Sequence, residues 1–270
     1  MISSMLIGRL GNSCFQIAMS IGYARKYGYQ WAVQEIPHNN ESSIHRVYPN
    51  LPKTNQKGNR YQEHPPKHCD QHNKHFDLCH FDYHDIANVG GDVFFVGFWQ
   101  SYKYFEHCKE EVKKVFELPH VAGYEDYVSI HIRLGDYKQH SGSFPPVTEH
   151  YLLLAMMEIE GKNPDSKYMV FSDGIDECKE IFSTNFSKDW NDRIYYSEGR
   201  NELQDLSLMA SCGHHIIANS TFSWWAAYLG HNPDRIIVTP SAKTWFGPTA
   251  GVKSPVVDLI LPDWIQIDTR

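Results

Sequence analysis

The segment DLSLMASCGHHIIANSTFSWWAAYLG, residues 205–230, carries the pattern of a helix, a strand and a second helix in direct succession. Asn201 and Gln204, just before it, form a capping-box pair that predicts where the first helix begins. HHIIAN (214–219) has the apolar content of a buried strand, and the run 222–229 that of a buried helix. Strands that alternate with helices predict a parallel β-sheet covered on both faces.

The same alternation surrounds this segment on both sides. Further strands are predicted at YVSIHI (127–132), KYMVFS (167–172) and RIIVTP (235–240). Helices are predicted over 148–160, with Thr148 as its cap, and over 175–182. The fold class is therefore α/β.

The N-terminal part repeats the pattern less regularly. It opens with an apolar strand at 5–7, a glycine-bounded turn and a buried helix over 12–27. A buried strand is predicted within DVFFVGFW (92–99) and a polar helix over 101–116. The stretch 37–89, rich in Pro, Asn, Lys and His, predicts long loops with at most one short helix.

One segment separates the two parts of the chain. Pro119–Glu125 lies between the irregular and the regular patterns and is the predicted domain boundary. We therefore divide the chain into an N-terminal domain, 1–120, and a C-terminal domain, 121–270. The extreme C-terminus is left open to pack back on the N-terminal domain.

Composition limits the function and the location. A formal charge of −7 gives no general attraction to nucleic acid or to anionic membranes, so a phosphate ligand needs local positive charge or backbone amides. The six scattered cysteines predict reduced thiols. Because neither a signal peptide nor a transmembrane run is recognisable, we expect a cytoplasmic protein, with peripheral membrane association still compatible.

Three segments carry residues suited to ligand binding, and the first is GRLGN (8–12). It follows the opening strand, where ligands of parallel sheets bind. Gly8 and Gly11 let the backbone approach a ligand, and Arg9 and Asn12 add a guanidinium and an amide. The alternative is an ordinary turn with a surface arginine.

The second segment is HIRLGDY (131–137). His131 and Arg133 share one face of the strand, Gly135 allows a sharp turn, and Asp136 lies just beyond it. An arginine at a strand end can bind a diphosphate through two N–H groups. A structural ion pair between Arg133 and Asp136 is the alternative.

The third segment is NSTFSWW (219–225). Asn219, Ser220 and Thr221 stand where a strand ends and a helix begins, so they can cap the helix. Free N–H groups at such a helix start attract anions. The alternative is an ordinary cap followed by the core residues Trp224 and Trp225.

Together these segments resemble one family. GRLGN followed by Phe15, Gln16 and Ala18, then HIRLGDY, FSD (171–173) and the nearly continuous segment 205–230, is similar to glycosyltransferase family 11, the α-1,2-fucosyltransferases. The resemblance covers both ends of the chain in the family's order, and it does not extend to 37–89.

The resemblance implies a fold, an activity and two substrates. The fold would be of GT-B type, with two Rossmann-like halves facing a central cleft. The activity would be inverting transfer of L-fucose from GDP-β-L-fucose to the 2-hydroxyl of a terminal β-galactoside glycan. The N-terminal domain would be the acceptor side and the C-terminal domain the GDP-fucose side, with no nucleic acid partner and no cofactor.

The resemblance also implies roles for single residues. Arg133 would hold the β-phosphate and stabilise the leaving diphosphate, and His131 would contact the guanosine. The helix start would bind the diphosphate through Asn219, Ser220 and Thr221. Asp173 would contact the base edge or the ribose, and the residues facing fucose or the acceptor would be Arg9, Gly11 and Asn12.

The general base is the least defined of these roles. Asp136 is our candidate, because a carboxylate beside the diphosphate site could take the acceptor proton. Asp136 could instead only orient Arg133. His140 and a carboxylate of the N-terminal domain are the alternatives.

Metal binding is expected to be absent from the reaction. Metal-dependent nucleotide-sugar transferases usually hold Mn²⁺ through an Asp-x-Asp motif, and the sequence has none. A competing signal is the stretch rich in histidine and cysteine that comprises His64, His68, Cys69, His72, His75, Cys79, His80 and His84. Its spacing does not close a set of four zinc ligands, and prolines interrupt the first pair.

Three other functions compete with fucosyl transfer. The first is transfer of another GDP-sugar, or transfer to another acceptor or linkage. The second is a non-catalytic relative that binds a sugar nucleotide or a glycan, which the intact Arg133, Asp136 and helix cap argue against. The third is a zinc-stabilised interaction module, which depends only on the histidine stretch.

Overall fold

The computed structural model describes residues 1–34, 43–56, 58–63, 82–250 and 256–269. The chain forms two compact units. The N-terminal unit consists of Met1–Glu117 with Val256–Leu261, and the C-terminal unit of Leu118–Pro255 with Pro262–Arg270. The first passage between the units, after residue 117, lies three residues before the predicted boundary at 120.

The N-terminal unit contains short parallel strands and one long helix. Its described strands are β1 (Ile2–Ser4), β2 (Val33–Gln34), β3 (Lys53–Thr54), β4 (Asn59–Gln62) and β5 (Val93–Val96). Its described helices are α1 (Leu10–Tyr27), α2 (Ser43–Val47) and α3 (Lys109–Val115). One sheet has the order β1-β5-β4, a separate pair joins β2 to β3, and all of these pairings are parallel.

The opening strand begins earlier than the apolar run suggests. It is Ile2–Ser4 rather than 5–7, and Met5 is 42% exposed. Ser4 is tolerated in the buried strand because its hydroxyl donates to the Gln16 carbonyl oxygen at 2.9 Å and lies 2.6 Å from the Ser20 hydroxyl. The prediction was wrong because it counted apolar residues and did not foresee that α1 would satisfy a buried serine.

The predicted polar helix over 101–116 is also shorter than expected. Two 3₁₀ turns, Tyr102–Tyr104 and Glu106–Cys108, precede α3. Ser101 accepts a hydrogen bond from the Lys103 N–H at 3.3 Å, and Phe105 between the turns has a non-helical φ of −129°. Phe105 is fully buried, so the break in the helix places an aromatic ring in the core.

The C-terminal unit is a parallel α/β layer structure. Its strands are β6 (Tyr127–Ile132), β7 (Lys167–Ser172), β8 (Ile194–Tyr196), β9 (His214–Ile216), β10 (Ile237–Pro240) and β11 (Ile265–Ile267). Its described helices are α4 (Gly135–Gln139), α5 (Glu149–Glu160), α6 (Ile175–Asn185), α7 (Lys188–Asn191), α8 (Glu202–Ser211) and α9 (Thr221–Tyr228). The α/β class with parallel sheets predicted from the sequence is confirmed.

The strand order of the C-terminal sheet identifies the place where sheets of this type bind ligands. The order is β11-β10-β9-β6-β7-β8, and every pairing is parallel. From β6 the chain proceeds outward through β7 and β8, then returns to β9 on the other side of β6 and proceeds through β10 to β11. This is the 3-2-1-4-5-6 order of Rossmann-type sheets, whose crevice lies where the direction reverses. That point lies between the carboxyl ends of β6 and β9.

Local capping chemistry fixes two helices of this unit as predicted. Thr148 precedes α5 and accepts a hydrogen bond from the Tyr151 N–H at 3.2 Å. Asn201 and Gln204 form the full capping box of α8, with hydrogen bonds of 3.0 and 2.9 Å. The sequence patterns did not reveal four short elements, which are α4, α7, β8 and β11.

A close backbone approach in the N-terminal unit yields a stability prediction. A Cβ atom at Gly22 of α1 would overlap the Tyr104 carbonyl oxygen. This oxygen belongs to the backbone, so it cannot move aside as the end of a flexible side chain can. Gly22→Ala should therefore lower the free energy of unfolding by about 1–3 kcal/mol. Gly161→Ala is the matched control, because its Cβ would find its nearest neighbour at 3.5 Å. Denaturant titrations compare the two variants, and an equal effect of both would contradict the close approach.

Candidate functional site

The residues predicted to bind the diphosphate lie at adjacent strand ends. Ile132 pairs with Ser172, so Arg133 and Asp173 are the next residues at the carboxyl ends of β6 and β7. On the other side of β6, Ile130 pairs with Ile216 of β9, which leads to the start of α9 at Thr221. The structure thus brings together segments that are about 90 residues apart, at the reversal of strand order.

Arg133 is held by carboxylates from two elements. Its Nε and Nη2 donate to Asp136 Oδ1 at 3.0 and 2.6 Å, and its Nη1 lies 2.6 Å from Asp173 Oδ2. The Arg133 side chain is 15% exposed. Within the described residues these contacts use three of the five guanidinium N–H groups, so each terminal nitrogen keeps a second N–H that a ligand could use.

The two carboxylates therefore bind the guanidinium of Arg133 directly. Asp173 also accepts the Leu134 N–H through Oδ1 at 2.9 Å, so both of its oxygens have partners. The ion pair of Arg133 with Asp136, foreseen as an alternative, is present. This geometry is that of residues that orient a guanidinium. The roles of Asp136 as a base and of Asp173 at the base edge or ribose stay predictions.

Gly135 is required for space rather than for a turn. It is the first residue of α4, and its φ is not in the left-handed region. A Cβ atom there would overlap Asp173 Oδ2, the atom that pairs with Arg133. Any larger side chain would push this carboxylate away from the guanidinium.

His131 lies in β6, two residues before Arg133, and is buried. Its Nδ1 is 2.9 Å from the hydroxyl of Ser223, in the first turn of α9, and its ring centroid is 5.8 Å from that of Phe222. Burial, and next the positive charge of Arg133, lower the pKa of His131 to about 4, while Asp173 acts in the opposite direction. The imidazole is therefore neutral at pH 7.

The start of α9 forms the third part of the candidate site. Ser220 is the N-cap residue, and its side chain makes no capping hydrogen bond. Asn219, which is 4% exposed, donates through Nδ2 to the carbonyl oxygens of Pro145 and Trp245 at 3.0 and 2.9 Å. Asn219 thereby joins two loops at the site, while Ser220 and Thr221 are only partly buried.

Tyr137 connects the arginine to the helix start, a link that the sequence did not reveal. Its hydroxyl donates to the Asn219 carbonyl oxygen at 2.8 Å, and the Arg133 guanidinium carbon lies 5.8 Å from its ring centroid. A tyrosine four residues after an arginine gives no recognisable signal. The pairing of β6 with β9 brings the segments that follow these strands to the same end of the sheet.

The residues predicted to face fucose or the acceptor belong to the N-terminal unit. Arg9 is the exposed N-cap residue of α1, Gly11 is buried, and Asn12 Oδ1 accepts from Gln100 Nε2 at 2.9 Å. Gly8 has a left-handed φ of 84°, so a glycine is needed at this turn. The roles of Arg9, Gly11 and Asn12 stay predictions.

Glu63 is a carboxylate of the N-terminal unit, the part of the chain in which one alternative general base was expected. It follows β4, is fully buried and accepts the N–H groups of Phe98 and Trp99 at 2.7 and 3.1 Å. Burial raises its pKa well above the usual value. Gly97, with a φ of 153°, leaves the space that the carboxylate fills. Both carboxylate oxygens accept hydrogen bonds from backbone N–H groups, so the role of Glu63 is structural.

The histidine-rich stretch lies almost entirely outside the described residues. Only His84 is described, and its Nδ1 is 3.2 Å from the Tyr104 hydroxyl. Across the described ranges, no three His, Cys, Asp or Glu side chains form a cluster that could hold a metal ion. Independence from metals stays a prediction.

His140, the other alternative base, is exposed at the end of α4.

In the part of the chain that the structure describes, no helix combines the length and the apolar content that a membrane span needs.

Acid should weaken folding through His131. The unfolded imidazole binds a proton near pH 6.5, whereas the folded one does so only near pH 4, so the unfolded state gains protons first as pH falls. The free energy of unfolding should therefore drop between these pH values, by on the order of 3 kcal/mol at pH 4. His131→Asn should flatten that part of the profile in denaturant titrations. An unchanged pH profile would contradict the buried neutral state.

Comparison with known proteins identifies relatives of this chain among named transferases. Over 173 residues the chain is 33% identical to an alpha-1,2-colitosyltransferase of Escherichia coli, covering 59% of this chain and 58% of that protein. It therefore spans little more than half the length of this relative. It is 24% identical to galactoside alpha-(1,2)-fucosyltransferase 1 of Sus scrofa, over 97% of this chain and 73% of that one.

Among solved structures, the chain is similar to NodZ alpha-1,6-fucosyltransferase soaked with GDP-fucose. The TM-score is 0.48 at 13% identity, covering 87% of this chain and 94% of that one. The model of the family described as glycosyl transferase family 11 matches residues 2–267, almost the entire sequence. The chain belongs to glycosyl transferase family 11.

Proposed function

We propose that this protein is a glycosyltransferase that transfers L-fucose from GDP-β-L-fucose to the 2-hydroxyl of a terminal β-galactoside, with inversion at the anomeric carbon. The donor class is supported by family membership. The α-1,2 linkage is supported by two relatives whose names carry it, a colitosyltransferase and a galactoside fucosyltransferase. The galactoside acceptor is supported by the second of these names.

One observation carries the proposal: a fixed guanidinium and an open helix start meet at the reversal of strand order. Arg133 lies at the end of β6, and Ser220 and Thr221 lie at the end of the adjacent β9 and the start of α9. Helix N-termini carry partial positive charge and N–H donors without partners in the helix. A diphosphate is the ligand that such a pair of donors suits best.

The chemistry follows from where charge develops. As the acceptor oxygen forms a bond to the anomeric carbon, the bond from that carbon to the β-phosphate oxygen breaks and GDP gains negative charge. Arg133 and the α9 N–H groups stabilise that charge, and because Asp136 and Asp173 already hold the guanidinium, little reorganisation is needed. No metal ion takes part in this scheme.

The proton of the acceptor hydroxyl needs a base. We propose that Asp136 takes it while remaining bonded to Arg133 through Oδ1, since its side chain is 45% exposed. Orientation of Arg133 alone is the competing role. The Asp136→Asn variant distinguishes them, because loss of a base changes the pH dependence of kcat, whereas poorer orientation lowers kcat without moving it.

A second donor is favoured by one relative. The colitosyltransferase shares 33% identity with this chain, and colitose is fucose without its 3-hydroxyl. A pocket that hydrogen-bonds the 3-hydroxyl would favour fucose strongly, whereas an apolar pocket would favour colitose. A non-catalytic relative that binds the nucleotide without transfer is the third possibility.

A transfer assay tests the donor, the acceptor and the absence of a metal together. GDP-fucose or GDP-colitose is mixed with lactose or with water, and GDP release and the linkage of the product are measured. We expect release from GDP-fucose with lactose, a 2-linked product, and an unchanged rate with EDTA. Faster GDP release from GDP-colitose would show that colitose is the preferred donor sugar. Binding of GDP without any transfer would show that the protein is a binding protein and not an enzyme. A large loss with EDTA would refute the metal-free scheme.

Two substitutions of Arg133 test its role, one that removes the positive charge and one that keeps the charge but changes the shape of the group. Arg133→Ala should lower kcat by about 10²–10³-fold, because it removes a donor to the leaving group. Arg133→Lys keeps the charge but loses the planar fork, so it should restore only part of the activity. Arg200→Ala, at an exposed arginine of the same unit, is the control and should be near normal. Near-normal kcat for folded Arg133→Ala would refute the assigned role.

A further inference from the structure

A short chain of hydrogen bonds links the α9 start to His131. The Ser223 hydroxyl donates to the Ser220 carbonyl oxygen at 3.2 Å. The same oxygen, Ser223 Oγ, lies 2.9 Å from His131 Nδ1. Ser223 is fully buried and His131 is 6% exposed, so water does not replace these contacts easily.

The protons of this chain can be assigned by counting donors. A serine hydroxyl has one proton, and a carbonyl oxygen can only accept. Both contacts of Ser223 are hydrogen bonds only if its proton points to the Ser220 oxygen and the proton on His131 Nδ1 points to Ser223. The opposite assignment would place two oxygen lone pairs against each other at 3.2 Å.

The second nitrogen of the ring then has a defined role. Because burial and Arg133 lower the pKa of His131 to about 4, the imidazole carries one proton at pH 7. With that proton on Nδ1, Nε2 presents a lone pair. Nε2 makes no hydrogen bond to another residue of the described ranges, and Arg133 is the first residue after β6.

We propose that Ser223 is a positioning residue that holds His131 in the Nδ1–H tautomer, so that Nε2 accepts a hydrogen bond from an O–H or N–H group of the nucleotide. The choice of nucleotide rests on the proposed function. A lone pair on Nε2 repels phosphate oxygens and attracts ribose hydroxyls or base N–H groups. Diphosphate binding is thereby left to Arg133 and the start of α9.

The tautomer is measured directly by NMR in the protein without ligand. Long-range ¹H–¹⁵N correlations at pH 7 distinguish protonated from unprotonated imidazole nitrogens, and the His131→Asn spectrum identifies the signal. We expect protonated Nδ1 in the wild type and a shift toward protonated Nε2 in Ser223→Ala. Ser223→Thr, which keeps the hydroxyl, should restore the wild-type pattern. A wild-type ring protonated on Nε2 overturns the proposal.

Binding of nucleotide analogues identifies the donor group. Ser223→Ala should raise the Kd of GDP about 3- to 10-fold. Of the analogues 2′-deoxy-GDP, 3′-deoxy-GDP, inosine diphosphate and 1-methyl-GDP, the one without the donor group should bind the wild type more weakly than GDP. That difference should vanish in Ser223→Ala. Equal weakening of every ligand by Ser223→Ala would overturn the acceptor role of Nε2.

The matched control is Ser207→Ala in α8. Ser207 is also a buried helix serine, and its hydroxyl has no hydrogen-bond partner in the described part of the chain. It should change neither the His131 tautomer nor GDP binding. Failure of fucosyl transfer with an intact Nδ1–H signal would reject the proposed function alone, and transfer activity with protonated Nε2 would reject this inference alone.

Discussion

The candidate site of the C-terminal unit depends on one ionic arrangement, an arginine held between two carboxylates at the end of a central strand. Arg133 would otherwise lose about 2 kcal/mol of side-chain entropy when a ligand fixes it. Asp136 from α4 and Asp173 after β7 fix it beforehand. Gly135 supplies the space that one of these carboxylates needs. A guanidinium ordered in advance binds and stabilises a departing anion without first reorganising its surroundings.

The order of strands determines what surrounds that arginine. β6 and β9 are far apart in the chain but adjacent in the sheet, so the α9 start and the HIRLGDY segment share one edge. Side-chain links cross this edge from His131 to Ser223 and from Tyr137 to the Asn219 carbonyl. A charged donor, a neutral imidazole and a helix start are thus arranged side by side, which suits a ligand with a charged and an uncharged part.

Sequence patterns predicted the elements of the C-terminal unit better than those of the N-terminal unit. Long periodic helices with local caps, such as the one after Thr148, are encoded within a few residues. The opening strand was misplaced because Ser4 is satisfied by α1, which is a tertiary contact. The residue types of the site were predicted from three segments, but Tyr137 and Ser223 act only through pairing between distant strands, and no local pattern records that pairing.

The path of the chain at its C-terminal end has a consequence for dissecting the molecule. After β10 the chain contributes Val256–Leu261 to the N-terminal unit and then returns with β11, which pairs with β10 along Val238, Thr239 and Pro240. Thr148 binds this returning tail through the Thr269 carbonyl oxygen at 2.9 Å. A fragment cut before the tail would leave the edge of β10 unpaired, and unpaired strand edges invite association between copies. The C-terminal unit is therefore separable only together with the last residues of the chain.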